Sequence, residues 1–255
     1  MHVLRIECRA EDKDRLLAEL WERGTLGVIE DDLAGGGALL RAFFDAPFDV
    51  RGGRWEPAED RDWVAVAQSQ WEPLLVGARF YLTPPWCTDP APVGRLRLEM
   101  RAGLACGTGW APATQLALEA METRVLPGMT VLDIGSGSGI LTVAAELLGA
   151  ARVYACDVDL DAVAVARDRF RSEGLAAGLF AGSAGAVLSG AVDFVVANID
   201  APVLAALAPE IGRILKPGGH AALGGFTAAD LARLREAYPA RATVLERSEW
   251  RLLAW

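Results

Sequence analysis

Residues 131–139, which read Val-Leu-Asp-Ile-Gly-Ser-Gly-Ser-Gly, have the types and spacing best suited to chemistry. The pattern is that of a short buried strand that leads into a glycine-rich loop and then into a helix. Glycine allows the backbone to pass close to a ligand, and free N–H groups at the start of a helix favour an anionic group such as a carboxylate. The stretch therefore predicts a binding site for a nucleotide-like cofactor.

The spacing of the glycines argues against a dinucleotide cofactor. A dinucleotide-binding fingerprint requires G-x-G-x-x-G, and Ile140 stands where its third glycine would fall. The chain instead has Asp-x-Gly-x-Gly-x-Gly, formed by Asp133, Gly135, Gly137 and Gly139. A nucleotide-dependent dehydrogenase is therefore disfavoured.

Two polar side chains follow later strands of the same region. Asp157 ends the next strand, where its carboxylate can accept hydrogen bonds from both hydroxyls of a ribose. Asn198 follows the apolar run Val-Val-Ala, at the edge where open α/β sheets bind ligands, and its amide oxygen can accept a hydrogen bond from an incoming amine. The alternative role for Asn198 is to cap the helix predicted at 202–215, for which Asp200 is also suited.

Short apolar strands alternate regularly with helices from residue 95 onward. Strands are predicted at 131–134, 152–156, 178–181, 193–197 and 220–224, and helices at 112–124, 140–148, 160–173, 202–215 and 228–238. Two further strands, at 243–247 and 250–255, follow one another directly. These patterns predict an α/β fold with a mostly parallel, Rossmann-like sheet that is covered on both faces and ends in an antiparallel hairpin.

The N-terminal region has a different pattern. Strands at 2–9, 26–30 and 38–44 and a helix at 11–23 predict a small α+β module of β-α-β-β order, as in ferredoxin-like folds. Residues 45–94 are rich in Pro, Gly, Trp and Asp, with one helix predicted at 63–75 and one strand at 79–83. We therefore expect a small domain at 1–60, a linker region at 61–94 and a cofactor-binding domain at 95–255.

Composition excludes several classes of function. The formal charge is −9, and residues 1–60 contain 14 acidic against 8 basic side chains, so direct binding of nucleic acid is not expected. Four scattered cysteines without a C-x-x-C pair, and only two histidines, argue against a metal site or a Ser-His-Asp triad. The sequence lacks an apolar run of the ~20 residues that a membrane helix needs and a signal-peptide pattern at its start. A cytoplasmic location without membrane attachment is expected.

The glycine loop and the two acidic residues together resemble the class I S-adenosylmethionine-dependent methyltransferases, over about residues 103–255. The resemblance implies that the loop at 133–139 holds the methionine part of S-adenosyl-L-methionine and that Asp157 binds the ribose. It also implies that Ser183, which follows the strand at 178–181, meets the edge of the adenine. Many methyltransferases that act on nitrogen have Asn or Asp at the position of Asn198, so the resemblance implies that Asn198 is catalytic and also contacts the cofactor.

Residues 106–114, Cys-Gly-Thr-Gly-Trp-Ala-Pro-Ala-Thr, narrow the resemblance further. They are similar to the F-G-T-G-x-H-x-T-T signature of the methyltransferases that modify ribosomal large-subunit protein eleven, and the N-terminal module is similar to that family too. The resemblance implies that Thr108 and Gly109 lie at the cofactor. The chain departs from the signature at Cys106, Ala111 and Ala113, which replace Phe, His and the first Thr.

The resemblance implies protein N-methylation, of lysine or amino-terminal amines in a basic ribosomal large-subunit protein that the first domain recognises. Two alternatives remain open, a small-molecule methyltransferase and a non-catalytic module that binds the cofactor or a partner. The ring of Trp110 is a candidate to contact the sulfonium through a cation–π interaction, and ordinary packing is its alternative role.

Overall fold

The chain divides between Gln70 and Trp71 into two units. The computed structural model describes residues 2–9, 12–13, 16–17, 19–20, 23–25, 27–33, 37–48, 50, 52–57, 72–101 and 109–255. The division predicted at residues 60 and 95 stays a prediction. No helix among these described residues is long and apolar enough to cross a membrane.

The first unit contains a four-stranded antiparallel sheet. Its strands are β1 (His2–Arg9), β2 (Gly27–Leu33), β3 (Gly37–Phe44) and β4 (Gly53–Pro57), in the order β2-β3-β1-β4. Residues 12–13, 16–17 and 19–20 are helical. Inward-facing side chains alternate along the strands and form an apolar core, which contains Leu4, Ile6, Leu20, Leu40, Ala42 and Phe44.

Strand β4 is the element of this unit that the sequence patterns missed. It has only five residues, begins with glycine and ends with proline, so it lacks a readable alternation of apolar and polar side chains. Trp55 nevertheless anchors it, because the indole N–H donates to the carbonyl of Phe48 at 2.9 Å and the ring packs edge-on against Phe44 and Phe48.

A seven-stranded sheet forms the centre of the second unit, in the order β10-β9-β8-β11-β12-β14-β13. Its strands are β8 (Thr130–Ile134), β9 (Arg152–Asp157), β10 (Gly178–Ala181), β11 (Val192–Asn198), β12 (Leu215–Thr227), β13 (Thr243–Arg247) and β14 (Trp250–Ala254). The pairs among β10, β9, β8, β11 and β12 are parallel, whereas β14 pairs antiparallel with both β12 and β13. This order confirms the predicted mostly parallel sheet with a terminal hairpin.

Helices cover the sheet on both faces. They are α1 (Pro112–Arg124), α2 (Ile140–Leu147), α3 (Leu160–Glu173), α4 (Ala201–Ile214) and α5 (Leu231–Ala237), the last preceded by a short 3₁₀ turn. Strand β11 has apolar side chains on both faces of the sheet. Phe194 and Val196 pack in one core with α1 and α2, whereas Val195 and Ala197 pack in a second core with α4 and α5. A continuous apolar run is therefore required in this strand, as in other strands buried on both faces.

A three-stranded sheet precedes α1. It consists of β5 (Leu74–Val76), β6 (Phe80–Thr83) and β7 (Leu96–Glu99), with β6 between its antiparallel neighbour β5 and its parallel neighbour β7. The strand predicted at 79–83 is confirmed. The helix predicted at 63–75 is wrong at its end, because Pro73 cannot continue a helix and the next residues pair with β6; residues 63–71 lie outside the described part of the chain.

Candidate functional site

The carboxyl ends of β8, β9, β10 and β11 enclose a cleft of about 430 Å³. Parallel strands bring residues that are distant in sequence to the same edge, which is why open α/β sheets bind ligands there. The predicted site residues that line this cleft are Gly135, Gly137, Asp157, Ser183 and Asn198. Of the others, Asp133 is buried beneath the loop, Gly139 and Gly109 do not line the cleft, and Thr108 lies outside the described residues.

The glycine loop has a conformation that other residues rarely adopt. Gly135, Gly137 and Gly139 have φ values of +71°, +51° and +76°. A Cβ on Gly135 would lie 2.3 Å from Cγ2 of Ile199, and a Cβ on Gly139 would lie 2.6 Å from Cε1 of Phe170. The loop therefore needs glycine for its turn and for its close approach to neighbouring side chains.

Asp157 holds the loop from the end of β9. Its Oδ2 accepts the N–H of Gly137 at 2.9 Å, and its Oδ1 accepts the N–H of Asp159 at 3.1 Å. A carboxylate has about four acceptor positions, so both oxygens retain capacity for a further donor. Two adjacent hydroxyls, such as those of a ribose, match that capacity.

Asp133 carries a carboxyl that is fully buried under the loop. Its Oδ2 accepts from the hydroxyl of Thr142 at 2.7 Å, whereas its Oδ1 has no hydrogen-bond partner among the described residues. Burial raises the pKa of Asp133 to about 7, although the hydrogen bonds from Thr142 act in the opposite direction. The carboxyl therefore changes its charge near neutral pH.

We expect this shift to make the stability of the protein fall as the pH rises. A carboxyl whose pKa is raised by folding favours the folded state below its unfolded pKa of about 4 and loses that contribution as the pH rises through about 7. Three pKa units correspond to about 4 kcal/mol. Urea unfolding at pH 5 and pH 8 should show about two of these three units in the wild type, or about 3 kcal/mol, and most of this difference should be absent in Asp133→Asn. Parallel pH profiles for the two proteins would contradict the assignment.

Asn198 is the last residue of β11 and lines the cleft. Its Nδ2 donates to the hydroxyl of Thr114, in the first turn of α1, at 3.4 Å. Its Oδ1 is buried and has no hydrogen-bond partner among the residues that the structure describes. Helix α4 begins at Ala201 with Asp200 in the N-cap position and no side-chain capping bond, so the alternative role of Asn198 as a helix cap is wrong.

Gly225 is a site residue that the sequence patterns missed. Its φ is +92°, and a Cβ there would lie 2.7 Å from both the N and the O of Ile199, the residue that packs against Gly135. The N–H of Ile199 also donates to the carbonyl of Gly224 at 3.0 Å. The paired glycines 224 and 225, at the end of the strand predicted at 220–224, were the available signal.

Replacing Gly225 by alanine is expected to destabilise the protein by about 2 kcal/mol or more, because the new methyl group meets backbone atoms and the backbone conformation is strained. Gly212, within α4, is a matched control, since no atom of the described residues lies within 4 Å of its Cβ position. Gly212→Ala should instead stabilise by about 0.5–1 kcal/mol. Urea unfolding measures both variants, and equal effects would show that the approach at Ile199 is not tight.

Trp110 is 39% exposed, and it does not belong to the described lining of the cleft. Its carbonyl accepts a hydrogen bond from the Gln115 side chain at 2.9 Å. The cation–π contact therefore stays a prediction. Gly109, with φ +95°, packs so tightly that a Cβ would lie 2.9 Å from Cδ1 of Ile140, which does line the cleft.

Comparison with known proteins gives consistent matches. The family model described as ribosomal protein L11 methyltransferase (PrmA) matches residues 42–254. A protein named ribosomal protein L11 methyltransferase from Burkholderia pseudomallei is 36% identical over 233 residues, which are 91% of this chain and 76% of that protein. A protein of the same name from Paraburkholderia xenovorans is 40% identical over 193 residues, which are 76% of this chain and 62% of that protein.

A solved structure also resembles the chain over most of its length. The crystal structure of ribosomal protein L11 methylase from Lactobacillus delbrueckii subsp. bulgaricus superposes with a TM-score of 0.65 at 27% sequence identity. The match covers 72% of this chain and 97% of that structure.

Proposed function

The chain belongs to the family of ribosomal protein L11 methyltransferases, and from that premise we propose that it transfers methyl groups from S-adenosyl-L-methionine to amines of a ribosomal large-subunit protein. The acceptors are lysine side chains or an amino terminus. The observation that carries the proposal is the buried, unpartnered Oδ1 of Asn198, which lies in the same cleft as the glycine loop and Asp157. This arrangement offers an acceptor for an N–H group beside a nucleotide-like site.

The residues of the cleft fit the proposed cofactor. Gly135, Ser136 and Gly137 of the loop line the cleft, and Asp157 retains two acceptor positions for the ribose hydroxyls. We assign the adenine edge to Ser183, which lines the cleft after β10, as the family resemblance implies. The apolar part of the lining comes from Ile134, Ile140, Leu141, Ile199, Val203 and Leu207.

When bound, S-adenosyl-L-methionine would supply a methyl group on a positively charged sulfonium for in-line transfer to an amine, and S-adenosylhomocysteine would be the leaving group. The protein has to align the amine and remove its competing proton, and alignment alone accounts for ~7–11 kcal/mol of such barriers. A lysine amine has a pKa of ~10.4 in water. Burial among the apolar side chains of the cleft lowers this pKa because it disfavours the charged form, whereas the carboxylates of Asp157, Asp159 and Asp200 in the lining act in the opposite direction. The Oδ1 of Asn198 then accepts one N–H of the neutral amine and directs its lone pair.

The charge of the chain favours a basic protein as the acceptor. The chain carries a formal charge of −9, and residues 1–60 account for much of the acidic excess, with 14 acidic and 8 basic side chains. Opposite charges steer association, and ribosomal protein L11 is the substrate that the names of the relatives state. We propose that residues 1–60 recognise this protein, that nucleic acid is not bound directly, and that the reaction takes place in the cytoplasm.

Methyl transfer to competing acceptors tests the proposal. The full chain is incubated with methyl-labelled S-adenosyl-L-methionine and either ribosomal protein L11 from the same source or a small primary amine such as lysine amide. Label should enter the protein with a kcat/KM at least about 100-fold above that of the small amine, because recognition away from the reacting atoms adds to the rate. Equal rates would support a small-molecule methyltransferase, and cofactor binding without transfer would support a non-catalytic module.

A further inference from the structure

Arg169, in α3, is almost completely buried, with 1% of its surface exposed. Its guanidinium donates to the carbonyl of Glu99 at 2.6 Å, to the carbonyl of Ser138 at 3.4 Å and to the carboxylate of Glu173 at 2.9 Å. One side chain thus joins the end of β7, the glycine loop and its own helix. The methyl-transfer chemistry described above makes no use of it.

The charge of Arg169 is maintained by its surroundings. Burial lowers the pKa of Arg169 and the nearby Glu173 opposes that shift, but arginine remains protonated in proteins. The carboxylate of Glu173 also forms an ion pair with Arg101 at 3.2 Å, and Arg101 in turn binds the carboxylate of Glu99 at 2.9 Å. A buried charge costs free energy unless it is paired and hydrogen-bonded, so a neutral side chain at position 169 would leave several of these acceptors unsatisfied.

The next residue of α3 supports the same part of the loop. The ring of Phe170 lies close to Gly139, since a Cβ on Gly139 would be 2.6 Å from Cε1 of this ring. Arg169 and Phe170 therefore contact Ser138 and Gly139, the last two residues of the loop, while Asp157 binds Gly137 from the start of the same β9–α3 unit. The second half of the loop therefore packs against α3.

We propose that Arg169 is a positioning residue for the methyl donor: it fixes the Ser138 end of the glycine loop, and with it the backbone that meets the amino-acid part of the donor. The inference rests on the proposed function. The proposed role concerns only the amino-acid half of the ligand. The ribose half is assigned to Asp157, which has no contact with Arg169 among those the structure gives. Loss of Arg169 should therefore weaken binding of the amino-acid half selectively.

The test compares two ligands by isothermal titration calorimetry. S-adenosylhomocysteine has the amino-acid part, whereas 5′-methylthioadenosine keeps the adenine, ribose and sulfur but lacks the amino-acid group. Arg169→Met is expected to raise the Kd of S-adenosylhomocysteine about tenfold, as loss of a charge-assisted hydrogen bond does, and to change the Kd of 5′-methylthioadenosine by less than about twofold. Arg171→Met removes an exposed arginine from the same helix and should leave both values unchanged.

Arg169→Lys keeps the positive charge but not the planar fork of donors, so it should lie between the wild type and Arg169→Met, and it serves as the variant if Arg169→Met does not fold. Equal losses for the two ligands, or no loss for either, would overturn the role of Arg169 while leaving the proposed function intact. A wild-type protein that binds neither ligand would overturn the proposed function itself, and the inference with it.

Discussion

Replacing Asp157 by alanine is expected to weaken the binding of S-adenosyl-L-methionine by about 100-fold. Two hydrogen bonds to a charged acceptor are lost, and a net loss of about 1.5 kcal/mol for each amounts to about 3 kcal/mol, which corresponds to a factor of roughly 100. The variant also frees the N–H of Gly137, which Asp157 holds at 2.9 Å. Equilibrium dialysis with labelled cofactor measures the affinity.

Asp168→Ala is the matched control for Asp157→Ala, since it removes an exposed carboxylate from the neighbouring helix α3. It should bind the cofactor as the wild type does. Asp157→Asn should have an intermediate affinity, because its one amide oxygen still accepts a hydrogen bond. A Kd for Asp157→Ala within threefold of the wild type would exclude the carboxylate from the ribose site.

Replacing Asn198 by alanine is expected to lower kcat by about 100-fold, because loss of alignment at a reacting centre has effects of that size. The cofactor Kd should change by less than about threefold, since the glycine loop and Asp157 are untouched. Asn198→Asp retains an acceptor at the same place and should keep more of the activity than Asn198→Ala. Steady-state rates of methyl transfer, with the cofactor Kd determined separately, distinguish alignment from binding.

Two outcomes would contradict the role of Asn198. A kcat of Asn198→Ala within fivefold of the wild type would show that its amide oxygen does not align the acceptor. A parallel loss of cofactor affinity would show instead that the side chain belongs to the cofactor site, so that the amine is held elsewhere.

The parallel sheet was predictable because its central strands are buried on both faces. Residues 194–197 of β11 form a continuous apolar run, and such runs between helical segments have few other interpretations. Short, partly exposed strands were harder: β4 and β5 have five and three residues, and their pairing depends on contacts with β1 and β6 that no local pattern encodes. Strands with a strong local sequence pattern were therefore predicted, whereas strands that depend on tertiary pairing were missed.

The residues of the candidate site also differ in how far the sequence alone predicts them. The glycine loop and Asp157 follow from spacing along the chain, since each stands directly after a strand. The role of Asn198 was open, because the residue type suits both a helix cap and a ligand contact, and the start of α4 at Ala201 had to be known to decide. Gly225 matters only because β12 pairs beside β11, and Arg169 only because α3 packs against the loop.

The most direct test of the central claim is to map the methylated atoms. Ribosomal protein L11 from the same source is incubated with the full chain and methyl-labelled S-adenosyl-L-methionine, and mass spectrometry locates the label. We predict label on lysine Nζ atoms or on the amino terminus with the wild type, and at most about one hundredth of that initial rate with Asn198→Ala. Label on other atom types, or no label although the cofactor binds, would contradict the account.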